Sequence, residues 1–169
     1  MWQPGFEHDE RLIASLPGYA RSFCMWSVHH RGTPENPGLV LALDAVENAT
    51  CSGLALKVAA GTEKRTLEYL RERELVSAAY LEAELRIDLA DGRSVDAITY
   101  VVDVNHVQYC QGLSQEDQAT IIANASGGRG PNTEYLYNTS SHLAQLGIRD
   151  NDLEWLSDRV RKIVGNGDV

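Results

Sequence analysis

The sequence predicts an α+β fold: a strongly curved or barrel-like antiparallel sheet with helices packed on it. Three observations carry this expectation. Runs of strand-forming residues fill much of the chain up to Val102, Asp91-Gly92 sits between two of them, and the last third reads as helix. Residues 20–28 are rich in strand formers and follow a Pro17-Gly18 turn signal. The polar stretch from His29 to Gly38 holds two prolines and two glycines and must be loop. Residues 39–45 and 51–58 are apolar runs of strand length, separated by a polar turn region at Glu47-Asn48. Residues 63–76 lack glycine and proline and consist of good helix formers. Residues 80–89 and 95–102 flank the hairpin, and Leu85, Ile87 and Leu89 alternate with Arg86, Asp88 and Ala90 as one buried sheet face requires. A helix after the third strand makes some of the strand pairing non-local.

The helical third has its own punctuation. Ser114 followed by Asp117 fits a relaxed capping box opening a helix that runs to about Ala125. Gly127-Gly128-Arg129-Gly130-Pro131 breaks it and reads as an ordinary turn between helices. A second helix starts at Asn132 or Thr133 and is closed by Gly147. The last covers residues 152–164 and stops at Gly165.

Composition narrows the function. The chain has 169 residues, 43% hydrophobic and 23% charged, as expected of one folded domain covering residues 1–169. Its formal net charge is −9, which argues against nucleic acid or an anionic membrane as a main partner. No apolar run approaches the ~18–20 residues of a membrane span, and Met1-Trp2-Gln3-Pro4-Gly5-Phe6 lacks the features of a secretory leader. Cys24, Cys51 and Cys110 are odd in number and widely spaced, so reduced thiols in a cytoplasmic protein are expected. The sequons at Asn48, Asn124 and Asn138 carry no information without a leader.

Few residues invite a chemical reading. At about 100° per residue, Leu67, Leu70 and Glu74 fall on one helix face, whereas Glu72 points nearly opposite. A partly desolvated carboxylate is a stronger base, which is what general base catalysis needs. The alternative is a face-boundary residue, or an ion pair with Arg71 or Arg73. The adjacent His29 and His30 point apart on extended chain and would chelate one ion poorly; with no His/Cys cluster, no metal site is expected. No Gly-x-Ser-x-Gly elbow occurs, and the glycines at 127–130 lack the lysine of a phosphate loop. Arg31, beside Gly32 in the long loop, could bind a carboxylate.

Several segments together resemble the ChaC family of glutathione-specific γ-glutamylcyclotransferases. They are Met1-Trp2-Gln3-Pro4-Gly5-Phe6, Leu16-Pro17-Gly18-Tyr19-Ala20-Arg21-Ser22-Phe23, and His30-Arg31-Gly32-Thr33-Pro34-Glu35-Asn36-Pro37-Gly38, the most specific of the set. Tyr69-Leu70 with Arg73-Glu74 follows, and Asn132-Thr133-Glu134-Tyr135-Leu136 comes last. The resemblance implies a γ-glutamylcyclotransferase-like fold, a small antiparallel or mixed barrel with flanking helices. It implies cleavage of glutathione to 5-oxoproline and cysteinylglycine, without metal or organic cofactor. The family's catalytic glutamate maps onto Glu74, the residue that periodicity selects for a separate reason. By resemblance, Tyr135 lines the glutamyl pocket through its hydroxyl, and Arg31 is a carboxylate or structural partner.

One departure sets an expectation of its own. The family carries Tyr-Gly-Ser-Leu on a first strand and loop immediately before the Met-Trp segment, and no such motif occurs here. The first strand and its substrate loop are therefore expected to be missing from this chain. Two alternatives follow: a fold-retaining, weakly active or inactive binding domain, or a cyclotransferase for other γ-glutamyl compounds. The composition leaves oligomeric state open.

Overall fold

Two long strands organise the protein. Strand β1 spans His8–Ser27 and β2 spans Gly38–Val58; with β3 (Tyr80–Leu89) and β4 (Ser94–Val102) they form a four-stranded sheet in the order β2-β1-β3-β4. Helix α1 (Glu63–Glu74) lies between β2 and β3 in sequence. After β4 come α2 (Gln115–Asn124), a two-residue pair β5 (Ser126–Gly127) and β6 (Gly130–Pro131), then α3 (Asn132–Gln145) and α4 (Asn151–Gly165). The computed structural model describes residues 4–165, so Met1, Trp2 and Gln3 of the matching N-terminal run lie outside the described residues. The architecture is α+β, as the sequence predicts.

Two expected turns are instead bends inside continuous strands. Pro17-Gly18 lies within β1, with Gly18 at φ +79°, and Glu47-Asn48 lies within β2, with Asn48 at φ +63°. A single left-handed residue reads locally as a turn. In an antiparallel sheet it can equally kink a strand that carries on along its partner. Helix α1 ends at Glu74 rather than Val76, where the Leu75 amide bonds back to the Arg71 carbonyl and Ala78 adopts φ +52°.

The described residues divide into two compact units, with the boundary inside β1 and β2. The first comprises residues up to Ser22 together with Leu43–Val107. Ala14, Leu16, Ile87 and Leu89 form its buried centre, with Leu12, Tyr19, Leu43, Leu85 and Val95 packed around them. The Asp91-Gly92 signal is realised as a three-residue hairpin: Gly92 donates to the Leu89 carbonyl at 3.0 Å, Leu89 donates to Arg93 at 2.8 Å, and Gly92 has φ +90°. Strands β3 and β4 then pair from Asp88↔Ser94 to Tyr80↔Val102, which sets Glu82 opposite Tyr100.

The second unit comprises Phe23–Ala42 and the chain from Gln108 on. Helices α2, α3 and α4 pack on one another through Ala119 and Ile122, Leu136 and Leu143, and Leu153, Leu156 and Val160. These spacings of three, four and seven are those of one apolar helix face. Ser114 caps α2 as expected, its Oγ accepting the Asp117 amide at 3.1 Å while its hydroxyl donates to the Asp117 carboxylate at 2.6 Å. The Met25↔Tyr109 bridge joins the end of β1 to the chain entering α2. Among the described residues no helix is long and apolar enough to cross a membrane, and no disulfide joins the three cysteines; burial pushes the Cys110 thiol up to about 11.

Candidate active site

In the first unit the last turn of α1 gathers charge. Glu74 is its final residue and is half-buried. A carboxylate at the C-terminal end of a helix sits against the negative pole of the macrodipole, so it needs a compensating cation. Arg73 supplies one: its Nε donates to Glu74 Oε1 at 2.8 Å. Arg73 Nη1 also donates to the Pro4 carbonyl at 2.7 Å and to the Tyr69 hydroxyl at 2.9 Å, and its guanidinium lies 5.1 Å from the Tyr69 ring centroid. Burial works against the arginine's charge, but these bonds outweigh it and raise its pKa further. Glu74 Oε2 carries no hydrogen bond among the described residues. Of the two sequence readings of Glu74, the ion pair with Arg73 is present, and the carboxylate is half-buried.

A second carboxylate explains why Arg71 does not compete for Glu74. Its Nε and Nη2 fork onto Glu82 at 2.8 and 2.6 Å, and the Tyr100 hydroxyl donates to Glu82 Oε2 at 3.1 Å. The fork holds the Glu82 carboxyl below its ordinary value. Burial, the bond to Glu82 and the negative charges of Glu82 and Glu74 push the Tyr100 phenol up to about 12.

In the second unit Arg31 and Tyr135 come together. The Arg31 guanidinium lies 5.6 Å from the Tyr135 ring centroid, its Nη1 donates to the Pro131 carbonyl at 3.1 Å, and it faces Glu134 at 3.8 Å. Its Nε and Nη2 have no hydrogen-bond partner among the described residues. Tyr135 meets Phe23 edge to face at 6.1 Å, and its hydroxyl lies 3.4 Å from the Leu41 amide.

Backbone builds the surroundings of this pair. A Cβ on Gly32 would strike the Gly38 amide, the Ser27 carbonyl and Pro37, and one on Gly38 would strike the Arg31 carbonyl. Gly127 closes the stack: a Cβ there would lie 2.5 and 2.7 Å from the Gly32 amide and carbonyl. The Gly128 and Arg129 amides donate to the His29 and His30 carbonyls at 2.8 and 2.9 Å. The stretch expected to be an ordinary turn between helices is thus a small hairpin that clamps the loop carrying Arg31. Partial desolvation and the charges of Arg129, His29 and Arg31 lower the pKa of His30. Asn132, fully buried, accepts the Leu39 amide at 2.7 Å and donates to the Leu39 carbonyl at 2.8 Å, as a neighbouring strand would.

The sequence nominates Glu74, Arg31 and Tyr135 but does not point to the contacts of Tyr69, Tyr100 and Asn132. The i,i+4 spacing of Tyr69 and Arg73 was the available signal. No local signal pairs Asn132 with Leu39, 93 positions away.

Comparison with known proteins agrees with this organisation. The chain is 35% identical over 164 residues to the glutathione-specific γ-glutamylcyclotransferase of Escherichia coli K12, covering 97% of this chain and 70% of that protein. It is 32% identical over 174 residues to γ-glutamylcyclotransferase 2-3 of Arabidopsis thaliana, covering 99% and 87%. A crystal structure of a yeast γ-glutamyl cyclotransferase specific to glutathione superimposes with a TM-score of 0.81 at 22% identity, over 94% of this chain and 90% of that one. The fold is therefore that of the γ-glutamyl cyclotransferases. The ChaC-like protein family model matches residues 1–163, and the chain belongs to that family.

Proposed function

We propose that this chain is one γ-glutamylcyclotransferase-like domain that cleaves glutathione to 5-oxoproline and cysteinylglycine, with Glu74 as general acid and base. One observation carries the reading: a half-buried glutamate, held through one oxygen and open at the other among the described residues, in a chain similar to relatives named γ-glutamylcyclotransferases, one of them glutathione-specific.

The reaction is intramolecular. The substrate's α-amine attacks its own γ-carbonyl carbon and closes a five-membered lactam, so positioning supplies much of the rate. At neutral pH the amine is largely an ammonium and cannot attack. Glu74 takes a proton from it and the new C–N bond forms; the bond to the cysteine nitrogen breaks as that nitrogen receives this proton from Glu74, and the surplus proton of the ring nitrogen then passes through Glu74 to the departing amine, which leaves as an ammonium. No water is consumed, and neither metal nor organic cofactor takes part. Arg31, with Nε and Nη2 unengaged among the described residues, is assigned to a substrate carboxylate. Tyr135 is assigned to the glutamyl pocket through its hydroxyl. The expected setting is the cytoplasm.

The test is direct. Incubated with glutathione, the protein should release equal amounts of 5-oxoproline and cysteinylglycine, and Glu74→Gln should lower kcat by about 10²–10⁴-fold. No 5-oxoproline from the unsubstituted chain would remove the proposed activity, and a fully active Glu74→Gln would remove the proposed base.

A further inference from the structure

We propose that Arg73 is a positioning residue that turns Glu74 into a one-oxygen base: Arg73 occupies Oε1, so Oε2 is the atom that takes and returns the proton. The inference rests on the activity proposed above and adds to it a residue and an atom.

Adjacent residues of a helix do not face each other, because their side chains leave the axis about 100° apart. A hydrogen bond between Arg73 and Glu74 is therefore not the default outcome of their spacing. Something must bring the guanidinium round, and three contacts do so. Tyr69, one turn back on the same face, offers its hydroxyl to Nη1 at 2.9 Å and its ring to the cation at 5.1 Å. The Pro4 carbonyl takes Nη1 at 2.7 Å from a different part of the chain. Gly5 makes that approach possible, since a Cβ at this position would collide with the Tyr69 hydroxyl. With Nη1 fixed, Nε is aimed at Glu74 Oε1.

The neighbouring arginine shows what the arrangement avoids. Arg71 forks onto both oxygens of Glu82, and Tyr100 adds a third bond, so no oxygen of that carboxylate is left unbonded. A carboxylate bound in that way is a structural anchor. Arg73 engages Glu74 through Nε alone, which fixes the plane of the carboxylate and leaves Oε2 unbonded among the described residues. In the cyclisation one oxygen must meet first the ammonium and then the departing nitrogen, so fixing the plane acts on turnover rather than on substrate affinity.

The experiment compares Arg73→Gln, Arg73→Lys and Tyr69→Phe with the unsubstituted chain. Arg73→Gln and Arg73→Lys should each lower kcat by about 10–100-fold while KM for glutathione stays within about threefold, because lysine lacks the planar fork. Tyr69→Phe, which removes one hydroxyl from a retained ring, should lower kcat by about threefold or more, again with little change in KM. Added guanidinium at millimolar concentration should restore part of the rate to Arg73→Gln and none to Glu74→Gln. Losses confined to KM, or parental kcat in Arg73→Lys, would overturn the proposal.

An arm without turnover separates this proposal from the activity itself. The Arg73 Nε–H resonance of ¹⁵N-labelled protein, assigned by its loss in Arg73→Lys, should shift and exchange faster in Glu74→Gln. If it does not move, the Arg73–Glu74 link is wrong whatever the protein does to glutathione. If it moves but the unsubstituted chain leaves glutathione intact, the activity fails and the positioning of Glu74 stands.

Discussion

The two units hold their candidate functional residues by opposite means. In the first, side chains do the holding: Arg73 bonds both Glu74 and Tyr69, while Arg71 and Tyr100 bond Glu82 and so keep Arg71 engaged elsewhere. In the second, backbone does it: Gly32, Gly38 and Gly127 let main chain pass main chain, and Asn132 bonds main chain at Leu39. Side-chain networks tune charge and proton transfer, and each member can be exchanged at the cost of its own bonds. Backbone crossings fix shape, and any added atom must displace main chain.

The sharpest way to break this comparison is to add one methyl group in each unit. Gly38→Ala should destabilise the protein by about 3 kcal/mol or more, because its Cβ meets backbone that cannot give way. Gly53→Ala, on β2 with nothing within 4 Å of its Cβ among the described residues, should change stability by no more than about 1 kcal/mol, and in the favourable direction. Urea unfolding of both variants measures the pair; equal losses would remove the distinction.

A gentler test concerns charge in the first unit. Tyr100 should ionise near 12, against an ordinary value near 10. Its folded pKa lies above the unfolded one, so the stability it contributes is complete below about pH 10 and is lost as pH rises through about 12. Ultraviolet titration of tyrosinate should lose a step near pH 12 in Tyr100→Phe, and the alkaline fall in stability should become shallower.

The smallest effect belongs to the helices of the second unit. Ser157 is buried in α4, and its hydroxyl is without a hydrogen-bond partner among the described residues. Ser157→Ala should raise stability by about 1 kcal/mol, through removal of an unsatisfied polar group and a gain in helix propensity. A thermal unfolding midpoint a few degrees higher would show it.

What could be read from the sequence follows the same division. The place of Glu74 on the last turn of α1 was legible because helix position is a local property, and so were the Ser114–Asp117 cap and the Asp91-Gly92 hairpin. The bends at Gly18 and Asn48 were not, since a left-handed residue looks the same whether the strand stops or continues. The clamp formed by residues 126–131 and the Asn132–Leu39 pair were hidden for a different reason. Their partners lie about a hundred positions away, and glycine records only that space is short, not what fills it.

The Asn132–Leu39 pair also sets an order of assembly. The second unit is discontinuous, and its two stretches are synthesised with the whole of residues 43–107 between them. During translation, at roughly 5–20 residues per second, Phe23, Cys24, Met25 and Leu39, all buried in the folded chain, leave the ribosome seconds before the second stretch of their unit. The first unit, closed by a short hairpin, can mature in that interval, whereas the second must wait for nearly the last residue. A nascent chain stalled after Val107 would display an apolar strand end with nothing to cover it, which makes that stage the natural point for chaperone capture or aggregation.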